Sequence, residues 1–170
     1  MDNWSLVDAE FLAVKAFFLK KSGDLHEASE SYEKSIIIYE KILNSKKANV
    51  YITSKKREAS EICVEAGGFF ESFQRKEKAV ELYKKAYSFS PTNQTALLRL
   101  VSHYEQRQEM NKCVELLQDF IEKDPYNEMA VLLVTSFRRQ DLNKSIIVLR
   151  NFLTKKPNFH RVIVRLIEIC

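Results

Sequence analysis

Three histidines, His26, His103 and His160, and three cysteines, Cys63, Cys113 and Cys170, are the side chains of this sequence best suited to metal binding, nucleophilic attack or proton transfer. Their spacing supports none of these. No histidine has a His, Cys or carboxylate at ligand spacing, and no CxxC pair exists. GxxxxGK[ST], GxGxxG and GxSxG are all missing. The Gly67-Gly68 pair lies inside a helical pattern, where it serves packing rather than phosphate binding. An odd number of unpaired cysteines suits free thiols in a reducing compartment. The expectation is therefore no catalytic residue, no metal site, no cofactor and no enzyme activity.

Charge excludes further classes. The 27 basic and 23 acidic residues leave a net +4, a mild bias on a mixed surface. Lys46-Lys47, the run Lys55-Lys56-Arg57 and Lys155-Lys156 read as a solvated face or as contacts for an acidic partner. No aromatic residues are interleaved with them for base stacking, so nucleic acid is not expected. Apolar runs such as AVLLV fall far short of the roughly 18 residues that span a bilayer. The start, MDNWSLVDAE, carries no basic and apolar leader pattern, so neither a secretory signal nor membrane insertion is expected.

The elements that position these residues follow from punctuation. Glycine and proline occur three times each, which favours long helices over a turn-rich β fold. Pro91, Pro125 and Pro157 are 34 and 32 residues apart, each preceded by an amphipathic segment and followed by a new helical pattern. The unit is helix, turn, helix, proline, and the proline is expected to pre-set the first turn of the next helix.

Within CVEAGGFFESFQRKEKAVELYKKAYSFSP, small residues stand where helix axes must approach closely. Gly67, Phe70, Ala79 and Tyr83 fill the Gly, Tyr, Ala and Phe slots of a pattern that resembles the tetratricopeptide repeat, while Cys63 and Ala66 depart from its Trp and Leu slots. In the next unit Leu97, Leu100, Tyr104, Cys113, Leu117 and Phe120 take the slots, with Val101 in place of Gly. The unit ending at Pro157 offers Val131, Val134, Ser145, Leu149 and Phe152, with two residues fewer in its turn around RRQDLN. The first unit has Gly23 and Ala28 in the turn GDLHEA, where Asp24 and Glu27 suit a capping box. The predicted fold is all-α: a tetratricopeptide-repeat α-solenoid, a right-handed superhelix of antiparallel helix pairs, with about nine helices. Residues 1–170 form a single array with repeats at about 9–45, 60–93, 94–127 and 128–159 and a partial repeat at 160–170. Ala28 to Ala79 exceeds one period, which predicts over-long helices at about 24–44 and 49–71 and a long-helix insertion at about 40–59.

First helices line the inner face of such an array. Val64, Leu98, Leu132 and Val164 recur there once per repeat. They read either as packing between neighbouring first helices or as an apolar strip that holds a helix or extended segment of a partner. The matching second positions, Gly68, Ser102, Ser136 and Glu168, lack the Lys and Asn of carboxylate-clamp modules. HRVIVRLIEIC places Val162, Ile163, Val164, Leu166, Ile167 and Ile169 on a helix apolar nearly all round. This predicts a fragment of a longer array, able to self-associate through its C-terminal helix.

Four features together resemble a C-terminal part of the tetratricopeptide repeat protein 21 family. They are AxEICxEA (Ala59 to Ala66), EKAVELYKKA (Glu77 to Ala86), the shortened RRQDLNKSI turn and LxxKPNFHRVIVRLIEI. The match spans residues 50–170 and, more loosely, 5–45. That family is the large tetratricopeptide subunit of intraflagellar transport complex A. The resemblance implies a non-catalytic scaffold, with other complex A components as partners. It implies a place in the cytoplasm, in the cilium or flagellum and at its base, and a role in retrograde transport and ciliary membrane-protein trafficking. The alternative is a stand-alone adaptor binding a peptide or helix in its concave groove.

Overall fold

A computed structural model describes residues 4–138 and 141–170. Among the described residues every regular element is helical: α1 (Leu6–Ser22), α2 (Leu25–Asn44), α3 (Val50–Ser72), α4 (Lys76–Phe89), α5 (Gln94–Gln106), α6 (Met110–Lys123), α7 (Glu128–Phe137), α8 (Leu142–Lys155) and α9 (His160–Ile169). They fall into two compact units, Met1–Ala96 and Leu97–Cys170. The turn at RRQDLN includes residues 139 and 140, which lie outside the described residues.

In the first unit α1 pairs with α2, α3 pairs with α4, and α2 packs on α3. Small side chains mark where the axes meet, because only they let backbones approach. Ala9, Ala13 and Ala16 are the buried residues of α1. Gly67 is buried on α3, and a Cβ there would lie 2.5 Å from the Tyr83 ring of α4. The ring of Tyr32 on α2 packs 5.7 Å from that of Phe69 on α3, and its hydroxyl donates to Glu65 at 2.9 Å. Ion pairs bind first helix to first helix (Lys55–Glu10, Lys20–Glu65) and second to second (Lys78–Glu33, Lys85–Glu40). Each contributes little alone, since most of these groups are partly solvated.

The helix ends correct two expectations. Each proline follows a residue whose backbone has left the helical region, Ser90, Asp124 or Lys156, and which closes the preceding helix. Clash with the proline ring drives its predecessor out of the helical region. The prolines thus end α4, α6 and α8, and do not occupy the first turn of the next helix. After Pro91 and Pro125 that start falls to asparagine two residues on: Asn93 accepts from the Ala96 N–H and Asn127 from the Ala130 N–H, whereas Phe159 starts α9 with no side-chain cap. Asp24 does cap α2, but Glu27 does not return to close a box, because its carboxylate pairs with Lys15 of α1. A complete capping box instead joins Ser5 and Asp8 at the start of α1.

The second unit continues the pairing. Cys113 of α6 donates its Sγ–H to the Val101 carbonyl of α5 at 3.6 Å. Val131, Leu149, Phe152 and Val162 form a cluster joining α7, α8 and α9, with Leu166 and Ile169 packed against it. The C-terminal helix is therefore one-sided rather than apolar all round. Its outward apolar residues are Val164 and Ile167, the latter 71% exposed.

Candidate functional site

The four residues expected on the inner face meet different fates. Val64, half-buried on α3, borders a shallow hollow with Arg57, Glu61 and Asn93. Leu132, half-buried on α7, packs against the α7–α8–α9 cluster. Val164 stands exposed on α9. Leu98, exposed on α5, lines a concavity of the second unit.

That concavity is an open groove of about 980 Å³. Its apolar lining is Leu98, Val101, Met110, Val114, Leu133 and Phe137, supplied by α5, α6 and α7. Leu98 and Met110 are exposed, so the groove offers apolar area to a partner. Charges of both signs edge it: Glu105, Glu115 and Asp141 against Arg138 and Lys144. Asp141 is held below the ordinary carboxylate range, first by its hydrogen bond with the Lys144 side chain and then by the Lys144 N–H. It stays anionic and tied down at neutral pH. Periodicity pointed to Leu98 and Val101, and to Ser102 and Ser136 beside them. Met110 and Val114 belong to a second helix, and Leu133 and Phe137 fall one and five positions past Leu132, so no once-per-repeat count reaches them.

The nucleophilic and titratable candidates are not assembled into a site. His26 is exposed, with Nδ1 3.7 Å from Glu30 on its own helix. The His103 ring lies edge-on to Tyr104. Cys63 and Cys113 are buried and Cys170 is exposed. Burial pushes the Cys63 thiol up to about 12, with Glu40 adding to it, so the nucleophilic thiolate is suppressed. Among the described residues no three His, Cys, Asp or Glu side chains converge to hold a metal, and no helix is long and apolar enough to cross a membrane.

Residues 9–42 and 60–93 match the tetratricopeptide repeat model. No curated protein matches the chain in sequence. Among solved structures, the crystal structure of MamA protein superposes with a TM-score of 0.54 at 16% identity, over 91% of this chain and 76% of that one. The C-terminal TPR-containing domain of a Plasmodium falciparum FK506-binding protein gives 0.53 at 15% identity, over 84% and 93%. MamA from Desulfovibrio magneticus gives 0.51 at 13%, over 95% and 83%. The fold is a tetratricopeptide-repeat α-solenoid, an architecture that typically serves as a non-catalytic module for protein–protein interaction.

Proposed function

We propose that the chain is a non-catalytic scaffold that holds other proteins through its groove. In line with its sequence resemblance, we take it as a segment of the large tetratricopeptide subunit of intraflagellar transport complex A. On this reading it works in the cytoplasm and at the base and shaft of a cilium or flagellum. It contributes there to retrograde transport and to the trafficking of ciliary membrane proteins, with other complex A components as partners. The observation that carries the protein-binding part is the groove of the second unit, lined by apolar side chains of three helices and by charges of both signs. Such a surface suits a helix or extended segment of another protein, with side chains rather than a terminal carboxylate as the anchors. Because the groove is complete within one unit, it also favours a second reading, a stand-alone adaptor that binds a peptide or helix there.

Affinity recovery of the full-length protein from ciliated cells, wild type beside Leu98→Glu and Leu133→Glu, separates the two. The scaffold reading expects complex A subunits with the wild type and their loss with the variants. Recovery of chaperone or ligase components instead, with no ciliary localisation of the tagged protein, would replace it with the adaptor.

A further inference from the structure

Val7, Phe11, Val14 and Phe18 lie on one stripe of α1, at alternating spacings of four and three residues. All four are between 56% and 70% exposed. The opposite side of the helix is the alanine stripe, Ala9, Ala13 and Ala16, that the first unit buries. The helix thus turns its small residues inward and its large ones to solvent, the reverse of an ordinary surface helix. Trp4, also exposed, stands just ahead of the N-cap Ser5.

We propose that this stripe is a seam for a second copy of the same chain, the two α1 helices packing antiparallel about a two-fold axis. The seam is self-complementary in size. Antiparallel pairing sets Phe11 beside Val14 of the second copy and Phe18 beside Val7, and the two-fold axis repeats both contacts. Every layer then holds one aromatic and one valine, so large and small residues interdigitate at constant spacing. Parallel pairing would stack Phe on Phe and Val on Val, leaving layers of unequal width.

The seam is also self-complementary in charge. The same register brings Asp8 opposite Lys15 of the second copy, twice. Both are tethered within the chain, Asp8 to Ser5 and Lys15 to Glu27, so they orient the pair more than they hold it. Lys21, whose Nζ already caps the Phe17 ring of its own chain at 4.4 Å, comes level with Trp4 of the other copy.

The area is sufficient. With 150–250 Å² for a large aromatic side chain and the exposures above, the stripe and Trp4 present roughly 500–600 Å² per copy. Two copies bury roughly 1,000–1,200 Å², at the lower edge of specific interfaces, which suits a reversible dimer. This inference is independent of the ciliary reading.

Sedimentation equilibrium of the full chain over a concentration series tests it. A monomer–dimer equilibrium is expected. Phe11→Glu and Phe18→Glu should each weaken it at least about tenfold while leaving the helical circular dichroism unchanged, since both side chains are exposed. Ile167→Glu, on α9, should leave it as it is. In a Cys170→Ser background, Phe11→Cys mixed with Val14→Cys should cross-link faster than either variant alone. A chain that stays monomeric throughout would leave the stripe to a helix of some other protein and overturn the proposal. So would a dimer dispersed by Ile167→Glu but not by Phe11→Glu, or one in which Phe11→Cys links fastest to itself.

Discussion

The Ser35 hydroxyl of α2 donates to the Ala9 carbonyl of α1 at 2.6 Å, and one repeat later the roles are exchanged: Ser60 of α3 donates to the Ala86 carbonyl of α4 at 2.7 Å. The matched repeats begin at residues 9 and 60, so Ala9 corresponds to Ser60, and Ser35 to Ala86. The junction of two helices keeps one hydroxyl and one methyl, and either helix can supply either. Ser35→Ala should lower stability by about 0.5–1.5 kcal/mol, the net value of one hydrogen bond. Ser60→Ala should lower it more, because Asn93 Nδ2 also donates to Ser60 Oγ, at 2.7 Å, and would be left short of that partner. Urea unfolding of both variants checks the order; equal losses would contradict it.

Gly67 is small because of Tyr83. Three ring atoms of Tyr83 lie 2.5–2.9 Å from where a Cβ would stand. Gly67→Ala would raise helix propensity by about 1 kcal/mol in open helix, yet here it should destabilise by about 1–3 kcal/mol through overpacking. Ala79→Leu, at the buried slot of α4, should act in the same direction. In a Tyr83→Val background the Gly67→Ala penalty should largely vanish, and a double-mutant cycle showing no coupling between the sites would refute the contact.

Three first helices end in left-handed backbone, at Gly23 (φ 91°), Gln74 (φ 59°) and Gln108 (φ 59°). Glycine bears this conformation without strain, while a Cβ there costs about 1–2 kcal/mol. Gln74→Gly and Gln108→Gly should therefore stabilise, by roughly 0.5–1 kcal/mol after the added freedom of the unfolded chain is subtracted. Gly23→Ala should do the opposite. Thermal melts of the three variants measure the signs directly.

What the sequence disclosed was periodicity, and what it concealed was direction. Gly67, Ala79 and Ala86 stand out against bulky neighbours, and the prolines punctuate the pattern, so the helical-repeat fold was legible. The prolines' role was not, since their spacing alone cannot show whether they open a helix or close one; the non-helical backbone of Ser90, Asp124 and Lys156 decides that. In the stretch FLAVKAFFL, alanines and aromatics share a helix with no polar face, and composition cannot tell which stripe is buried. The C-terminal helix misled in the opposite sense, because Leu166 and Ile169 find cover against the Val131–Phe152–Val162 cluster. Of the groove, Leu98, Val101, Ser102 and Ser136 lay on positions that repeat, while Met110, Val114, Leu133 and Phe137 did not.

The three thiols should divide two to one. Cys63 and Cys113 are buried with thiols raised by desolvation, and Cys170 is exposed. Alkylation at pH 8 should modify one thiol quickly and the other two only after denaturant is added, because the reacting species is the thiolate. Fast labelling of Cys63 would mean that α3 opens readily from α4.

Two tyrosines on α2 should respond in opposite ways to loss of the hydroxyl. Tyr32 and Tyr39 are both fully buried. The Tyr32 hydroxyl donates to Glu65, whereas the Tyr39 hydroxyl has no hydrogen-bond partner among the described residues. Burial pushes the Tyr39 phenol up to about 12, helped by the nearby Glu10 and Glu58 carboxylates and opposed by Lys55, so it is neutral at physiological pH and its ionisation does not enter. Tyr32→Phe removes a made bond to a carboxylate and should destabilise by about 1.5–3 kcal/mol at most, less where water reaches Glu65. Tyr39→Phe removes a buried, unsatisfied polar group and should be neutral or stabilising by up to about 1–3 kcal/mol. Differential scanning calorimetry of the two variants at equal concentration is the check, and a Tyr39→Phe melting temperature well below wild type would mean that the hydroxyl has a partner.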